Sequence, residues 1–455
     1  MASDKENLGR MTWRQIALAA VVAAVVMFDF YDFNILGFII SFISKSWLLS
    51  VGAATVMIGT SGIGVVIGGF LWGWISDKKG RRPSFIASVL IFSLGSALMA
   101  VTPFGNWQFL AALRIFVGFG VAGAFTIAFP LVSEFVPKAR RGAIVGLTAS
   151  FVPLGTLLAS VFSHYLEPLI GWRGLALITG VPAIIVLALY WLVPESPRWL
   201  VSNGRPEQAR KVIASMMGIS SEQVDMSEYE VPKRKYKWTE VFKYKRSLVS
   251  SWLINIGTQS SSYTLTLFGP ALLVLIMGVT PLYAAFLFII VSLAGFAGRL
   301  VFSFLNDFLG RRFAGYFMSV SLIVGLVIQA TAYKSFIGGI SIFYLMMVIN
   351  YFFVNGAWPI TTALGSEEWP QEVRSSGWGS SYGFGGMGKI IGPVGLGLIL
   401  GTGVSLSNPK VGISGITPAL IFLGVIMVFT LIGFVIAFET KGKSLEAIDA
   451  EITGK

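Results

Sequence analysis

The sequence lacks cysteine and contains one histidine, His164, among its 455 residues. It therefore offers no disulfide framework and no thiolate metal site, and one imidazole is too little for a metal centre. Charged residues make up only 12% of the chain, against about a quarter in soluble domains, while apolar residues reach 55%. These values exclude most soluble classes. They predict a helical membrane protein with no metal and no other cofactor.

Twelve apolar stretches are long enough to cross a bilayer, which takes roughly 20 residues of helix. We number them as spans 1 to 12 and place them near residues 15–42, 52–75, 83–102, 107–133, 142–165, 173–193, 248–277, 281–305, 313–333, 337–364, 376–402 and 414–437. Several are longer than the minimum, so tilted helices or helices interrupted by Gly and Pro are expected. The predicted fold class is an all-α membrane protein with twelve transmembrane helices.

The net charge of +12 is explained by membrane topology rather than by nucleic-acid binding. With an even number of spans both termini share one side, and 27 of the 34 Lys and Arg residues lie on that side. Four lie in the opposite loops, and three (Arg114, Arg299 and Lys389) lie within spans. Basic residues concentrate in cytoplasmic loops. We therefore predict a multi-pass protein of the cell membrane, embedded in the lipid bilayer with both termini cytoplasmic.

An internal repeat with a period of about 230 residues organises the chain. Segment 73–82, GWISDKKGRR, returns in degraded form at 303–312 as SFLNDFLGRR, and Ser-Glu at 133–134 returns at 366–367. Parallel six-helix repeats place a cavity between the halves near the midplane, as alternating access requires. We predict an amino-terminal bundle at 1–193, a cytoplasmic linker at 194–247, a carboxyl-terminal bundle at 248–440 and a cytoplasmic tail at 441–455.

These motifs resemble the major facilitator superfamily over essentially the whole chain. Segment 73–82 is similar to the signature loop between helices 2 and 3 of that family. PESPR at 194–198 and ETKGK at 439–443 are similar to loop signatures of the sugar porters. DFYD at 29–32 and the segment from Pro370 to Arg374 are more similar to the metabolite and aromatic-acid:proton symporters. The resemblance implies two parallel six-helix bundles that transport a small molecule by alternating access, in a protein that works as a monomer.

Charged residues at matching helix ends of the two halves are predicted to act as gates. Asp77 can pair with the cations that follow it or with a neighbouring helix N-terminus, and Gly73 permits close helix approach, as do Gly64, Gly68 and Gly69. Carboxylates and guanidiniums on one membrane face can form salt bridges between the halves. The alternative is that such residues only orient or anchor the loops, which we favour for Glu368 and Glu372. The predicted gating residues are Asp77, Gly73, Arg81, Glu134, Arg141, Asp307, Glu367 and Arg374.

Ionisable groups inside spans cost several kcal/mol unless paired or wetted, so they indicate function. Asp29 and Asp32 lie three positions apart on one face of span 1, and Arg114 in span 4 is a plausible partner. In the sugar:proton symporters that the chain resembles, an Asp of helix 1 pairs with an Arg of helix 4, and the match falls on Asp32 and Arg114. Protonation of Asp32 would release Arg114 and couple proton and substrate occupancy. A static ion pair is the alternative, and which of the two Asp residues carries the proton stays open.

Lys389 in span 11 has no acidic partner in the second half and lies among glycines that leave it unshielded. An unpaired cation at the cavity favours an anionic ligand, with snorkelling to a membrane interface as the alternative. Arg299 is expected closer to the cytoplasmic end of span 8. Neutral side chains of spans 7 and 10 can donate hydrogen bonds to substrate or act as interhelical contacts instead. The predicted substrate-binding residues are Lys389, Arg114, Gln259, Tyr263, Asn355, Trp358 and Asn350.

Two further patterns do not indicate enzymatic chemistry. Segment 379–383 matches G-x-S-x-G but lacks the strand-to-helix context of a hydrolase. Segment 383–389 matches G-x-x-x-x-G-K, yet Ile390 replaces the Ser or Thr that a nucleotide site needs. We therefore expect no enzyme. The leading function is proton-coupled symport of a small polar organic solute, with an organic anion such as a carboxylate slightly favoured. A sugar:proton symporter, an uncoupled facilitator and, remotely, a transporter-like receptor are the alternatives.

Overall fold

The computed structural model describes residues 11–137, 141–226, 229, 238–370, 373–406, 415–443 and 445–453. The described helices are α1 (Trp13–Ile43), α2 (Val51–Lys79), α3 (Arg81–Ala97), α4 (Trp107–Phe135), α5 (Arg141–Ala149), α6 (Phe151–Tyr165), α7 (Glu167–Ile178), α8 (Val181–Ala188), α9 (Pro197–Ser202), α10 (Pro206–Met217), α11 (Lys245–Met277), α12 (Pro281–Leu309), α13 (Arg311–Ala332), α14 (Ile342–Glu367), α15 (Arg374–Gly385), α16 (Gly388–Leu400), α17 (Ile416–Ile436) and α18 (Leu445–Thr453). Short 3₁₀ turns lie at Leu98–Val101, Tyr190–Leu192, Ser221–Gln223 and Trp238–Lys243, and the strands are β1 (Phe336–Ile337) and β2 (Ile340–Ser341).

The prediction of twelve spans is confirmed. Eleven helical stretches of the described chain are long and apolar enough to cross a membrane, and α7 with α8, bent by 47°, makes the twelfth. Four of the long helices begin directly after a capping residue, whose side-chain oxygen accepts a hydrogen bond from an otherwise unpaired backbone N–H. Thr12 caps α1, Ser50 caps α2, Asn106 caps α4 and Thr280 caps α12.

Several predicted boundaries were wrong where glycine interrupts an apolar run. Span 10 begins at Ile342 rather than at 337, because β1 and β2 form a tight hairpin around Gly338 and Gly339. Both glycines have positive φ, 56° and 79°, as a two-residue hairpin turn demands. Span 6 begins at Glu167 rather than at 173 and is kinked at Gly171, and span 11 is divided into α15 and α16.

The helices pack as two halves that meet along a shared interface. In the first half α2 and α3 pack against α4, and in the second half α12 and α13 pack against α14 while α11 packs against α17. Between the halves α1 contacts α11, α2 contacts α16, and α6 contacts α12. These contacts put α1, α6, α11 and α12 around the space between the halves. The exact division at 194–247 stays a prediction.

Close helix approach in the first half depends on two of the four predicted glycines of α2. Gly64 and Gly68 lie directly against the backbone of α4. By contrast, nothing lies within 4 Å of the position that a Cβ would take at Gly69 or Gly73. The prediction that Gly73 permits close approach was therefore wrong, because that part of α2 faces away from its neighbours.

The two membrane faces of the protein differ in how they connect the halves. We call the face that carries residues 80–82 and 310–312 the basic face. On the opposite face, backbone hydrogen bonds join the start of α2 to the segment after α16: Val51 N–H donates to Val404 O at 2.8 Å, and Leu406 N–H donates to Leu49 O at 3.0 Å. The halves are thus tied together at the face opposite the basic one.

Candidate functional site

A buried ion pair and its hydrogen bonds join four helices of the first half. The Arg114 guanidinium donates to the two Asp32 oxygens at 3.2 and 3.4 Å, and its Nε donates to Ser61 Oγ at 2.9 Å. The Ser96 hydroxyl also donates to Asp32. Asp32 and Arg114 are 0% and 1% exposed, so both side chains are buried away from bulk solvent. The expected pairing is present, and its role in proton coupling stays a prediction.

Asp29 lies one helical turn away from this pair and lacks a complete set of hydrogen bonds. It is 2% exposed, and its Oδ1 has no hydrogen-bond partner in the described part of the chain. The charges that act on it are those of Asp32, Arg114 and Lys389. Since Lys389 belongs to the second half, Asp29 connects the two halves electrostatically.

Lys389 is shielded, contrary to the prediction from its glycine-rich surroundings. It is 4% exposed, and its Nζ lies 4.5 Å from the ring centre of Tyr263 and 5.3 Å from that of Tyr382. Such cation–π contacts stabilise a desolvated ammonium group. The acid whose charge acts on it, Asp29, belongs to the first half, so the sequence of the second half alone does not reveal it.

A cavity lies between the halves, bounded by side chains of both. In this conformation it is narrow: the space that can hold the centre of a water molecule is about 20 Å³, within about 350 Å³ of atom-free space that includes open solvent. Its lining residues are Phe30, Phe33, Asn34, Val152, Pro153, Thr156, Ser262, Tyr263, Thr266, Arg299, Tyr351, Asn355 and Trp358. Three predicted substrate-binding residues, Tyr263, Asn355 and Trp358, are among them. Lys389 and Arg114 are not, because both side chains are buried behind the lining.

Several polar groups of the cavity wall hydrogen bond to each other. Asn34 Nδ2 donates to Thr156 Oγ1 at 3.0 Å, and Tyr351 Oη lies 3.0 Å from Thr266 Oγ1. The Trp358 indole N–H lies 3.4 Å from Ser262 Oγ, at the long end of hydrogen-bond distance. These pairs hold the wall in place and leave hydroxyl and amide groups available to a polar solute.

Arg299 is a cavity residue that sequence reasoning missed. Its guanidinium lies 5.9 Å from the Trp358 ring centre, and its Nε has no hydrogen-bond partner among the described residues. The predicted span 8 ended at 305, whereas α12 continues to Leu309, so Arg299 lies deeper in the helix than expected. The available signal was its position within an apolar stretch.

Two predicted substrate-binding residues, Asn350 and Gln259, do not line this cavity. Asn350 is 0% exposed, and its Nδ2 donates at 2.9 Å to Gln329 Oε1 of α13, on the side of α14 away from the cavity. Gln259 is also 0% exposed, lies against Gly385, and places its Nε2 3.4 Å from Tyr382 O. Both amides connect helices, which was the alternative interpretation.

On the basic face, the first half brings its two loop motifs together. Glu195 Oε1 accepts from the backbone N–H groups of Arg81 and Arg82 at 2.8 and 3.2 Å, so a carboxylate caps the start of α3. Glu134 pairs with the Arg81 side chain and accepts from Ser196 Oγ at 2.5 Å. Gly80 precedes the helix with φ of 102°, directly against Glu195, where a side chain would be strained.

The second half repeats this arrangement at the start of α13. Glu439 accepts from the backbone N–H groups of Arg311 and Arg312, each at 3.1 Å. Glu367 pairs with the Arg311 side chain at 3.1 Å and accepts from the Thr440 hydroxyl. The internal repeat in the sequence is therefore also a repeat of side-chain contacts.

The predicted salt bridges between the halves are not formed among the described residues, since each identified ion pair stays within one half. Asp307 pairs with Arg311 at 3.2 Å, and Arg374 pairs with Asp449 of α18 at 3.6 Å. Asp77 is exposed, and its backbone carbonyl, rather than its carboxylate, accepts from the Trp199 indole. The Arg141 side chain and Glu372 lie outside the described residues.

Glu368 was expected to be a surface anchor and is instead fully buried. It accepts from the Ser250 hydroxyl, and its Oε2 has no hydrogen-bond partner in the described chain. Burial raises the pKa of the Glu368 carboxyl to about 8, although Ser250, the Phe438 backbone and the Arg246 charge oppose that rise. This site lies just beyond the end of α14, at the basic face.

Comparison with known proteins places this geometry in a family. The family profile described as "Sugar (and other) transporter" matches residues 16–452. The niacin transporter NiaP of Acinetobacter baylyi is 28% identical over 445 residues, or 94% of this chain and 95% of that protein. The inner membrane metabolite transport protein YgcS of Escherichia coli is 32% identical over 205 residues, 44% of this chain and 45% of that one.

Among solved structures, the inward open conformation of the xylose transporter XylE from Escherichia coli superposes with a TM-score of 0.72 at 21% identity. The superposition covers 96% of this chain and 99% of that one, which shows that the two share a fold. The fold and the relatives are those of transporters, not of enzymes. The chain belongs to the sugar (and other) transporter family of the major facilitator superfamily.

Proposed function

We propose that this transporter is a proton-coupled symporter of a small organic anion, a carboxylate, that works by alternating access. It acts as a monomer in the cell membrane, with both termini in the cytoplasm. The observation that carries the proposal is the charge content of its interior. Away from their ends, the described spans hold Asp29, Asp32, Arg114, Arg299 and Lys389. Three cations and two carboxylates leave one positive charge for a substrate to neutralise, which a sugar cannot do.

Proton coupling follows from the way in which Asp32 is held. While ionised, Asp32 fixes Arg114 and therefore joins α1 to α4. A proton on Asp32 removes the charge that holds the guanidinium and weakens that junction. If the junction differs in strength between the inward and outward states, proton occupancy shifts their balance. Asp29 is close enough to Asp32 for the two carboxylates to share this role.

Gating is assigned to the two repeated clusters of the basic face. Glu134 with Arg81 and Glu367 with Arg311 each fasten one half of the transporter. The tie between the halves lies at the opposite face. We propose that Asp77, Arg141, Asp307 and Arg374 take part when the basic face closes. In that closed state these residues would form salt bridges between the two halves, which the described residues do not form in the present conformation.

The relatives support a carboxylate substrate. The relative NiaP, matched over nearly its whole length, is a niacin transporter, and niacin is a carboxylate on one aromatic ring. Five of the thirteen cavity-lining side chains are aromatic, which suits a flat ring. A sugar is the second candidate, favoured by the neutral groups of Asn34, Thr266 and Asn355 in the wall.

The test is uptake of labelled nicotinate by proteoliposomes that contain the purified protein, with an imposed pH gradient, alkaline inside. Accumulation above the outside concentration, abolished by a protonophore, is the expected result. Uptake that only equilibrates would identify an uncoupled facilitator. Uptake of xylose or inositol with no response to carboxylates would favour the sugar alternative.

A further inference from the structure

Three cations lie deep in the described spans, and they differ in the acidic groups that act on them. Arg114 is paired with Asp32 at 3.2 Å. Lys389 is close enough to Asp29 for the carboxylate to act on it, although the two form no salt bridge among the described residues. Arg299 has no acid among the described groups that interact with it, which are the tyrosines Tyr263, Tyr351 and Tyr382 and the Trp358 ring. Among the three cations, Arg299 is the one with no acidic group acting on it in the described part of the chain.

Arg299 also has the required position. Its side chain lines the cavity, whereas Lys389 lies behind the Tyr263 ring, which is itself part of the cavity wall. A buried guanidinium has five N–H donors, and one left without an acceptor costs free energy. The hydroxyl of Tyr351, another wall residue, lies 3.0 Å from Thr266 Oγ1 and hydrogen bonds to it. Arg299 is thus a half-buried charged group in the cavity wall, and its Nε has no acceptor in the described part of the chain.

The geometry of the guanidinium suits one ligand chemistry. Its planar fork of N–H groups matches a carboxylate with two parallel hydrogen bonds. The face of the neighbouring Trp358 ring lies beside it, and Phe33 borders the same cavity from the first half. A carboxylate held on Arg299 would leave the remainder of the solute between aromatic walls of α1 and α14.

We propose that Arg299 is the residue that binds the carboxylate of the substrate, while Lys389 serves as the internal counter-ion of Asp29. This assignment rests on the proposed function, because it presumes an anionic substrate. It moves the role expected of Lys389 to a residue of a different helix. Substrate binding and proton coupling then use different cations, with Arg299 on α12 and Arg114 and Lys389 beside the two aspartates.

The experiment measures binding of nicotinate and of its neutral isostere nicotinamide to the purified full-length protein in detergent, by isothermal titration calorimetry. Arg299→Gln removes the charge, Arg299→Lys keeps it without the planar fork, and Arg205→Gln is a matched control at an exposed site on the basic face. We expect Arg299→Gln to weaken nicotinate binding roughly 10- to 100-fold, since a charge-assisted bond is lost. Arg299→Lys should recover part of that loss, and Arg205→Gln should match the wild type.

The outcomes separate this proposal from the one on which it rests. If the wild type binds nicotinate and Arg299→Gln binds it equally well, the role of Arg299 is refuted while anion transport stands. The same holds if Lys389→Gln abolishes binding and Arg299→Gln does not. If the wild type binds no carboxylate but binds a neutral sugar, the proposed function itself fails. Should Arg299→Gln not fold, as judged by size-exclusion chromatography, Arg299→Lys decides: undiminished affinity for nicotinate would contradict the requirement for a fork.

Discussion

Glu368→Gln is expected to make the protein less sensitive to alkaline pH. The carboxyl group is fully buried, and its pKa is raised from its ordinary 4.5 to about 8. Between those values the folded protein keeps the proton that the unfolded chain has released, so the free energy of unfolding falls as pH rises. Multiplying the difference by about 1.4 kcal/mol per pH unit gives roughly 5 kcal/mol lost by pH 8 and above. Glutamine has nearly the shape of the protonated carboxyl group and cannot ionise.

The assay is thermal unfolding of the purified protein in detergent, followed from pH 5 to pH 9. The midpoint of the wild type should decline across this range, and that of Glu368→Gln should decline less, so that the two curves diverge towards high pH. Glu207→Gln, at an exposed site on α10, should follow the wild type throughout. Parallel curves for wild type and Glu368→Gln would show that Glu368 is hydrated or paired in the folded protein, and would refute the reasoning.

Two further predictions use matched positions. Gly64→Ala should destabilise the protein by about 1–3 kcal/mol, because the new Cβ would meet the backbone of α4. Gly69→Ala has open space around it and should be neutral or slightly stabilising. Thermal unfolding compares the two variants, and equal unfolding midpoints would contradict the packing. Glu195→Gln and Glu439→Gln should each lower the free energy of unfolding by about 1 kcal/mol, since each removes a charge from a helix N-terminus. If only one of the two variants is less stable than the wild type, the two repeated caps are not equivalent.

The overall architecture could be predicted because bilayer physics leaves few choices. The number of spans follows from long apolar runs, and the repeat follows from motifs that recur at a fixed period. The pairing of Asp32 with Arg114 was predicted through a family resemblance. The hairpin at 336–341 is hard to distinguish from the helix after it because both are apolar, and the Gly338-Gly339 pair is the local signal for its turn.

The candidate site was harder to predict because apolar helices do not show which face points inward. Asn350 and Asn355 lie on the same helix, yet Asn350 contacts α13 and Asn355 lines the cavity. The counter-ion of Lys389 comes from the other half of the chain, so no local pattern could reveal it. Glu368 follows another glutamate at a helix end, which looks like an exposed membrane anchor in the sequence, and only the packing of α11 beside it shows that it is buried.

The central claim is that a proton on a buried carboxylate controls the Asp32 to Arg114 junction. The most direct test compares two modes of nicotinate transport by Asp32→Asn in proteoliposomes, namely exchange at equal concentrations and accumulation driven by a pH gradient. We predict that exchange continues, because a neutral side chain still permits the conformational change, and that accumulation is lost. Accumulation at the wild-type level under the same gradient would contradict the account.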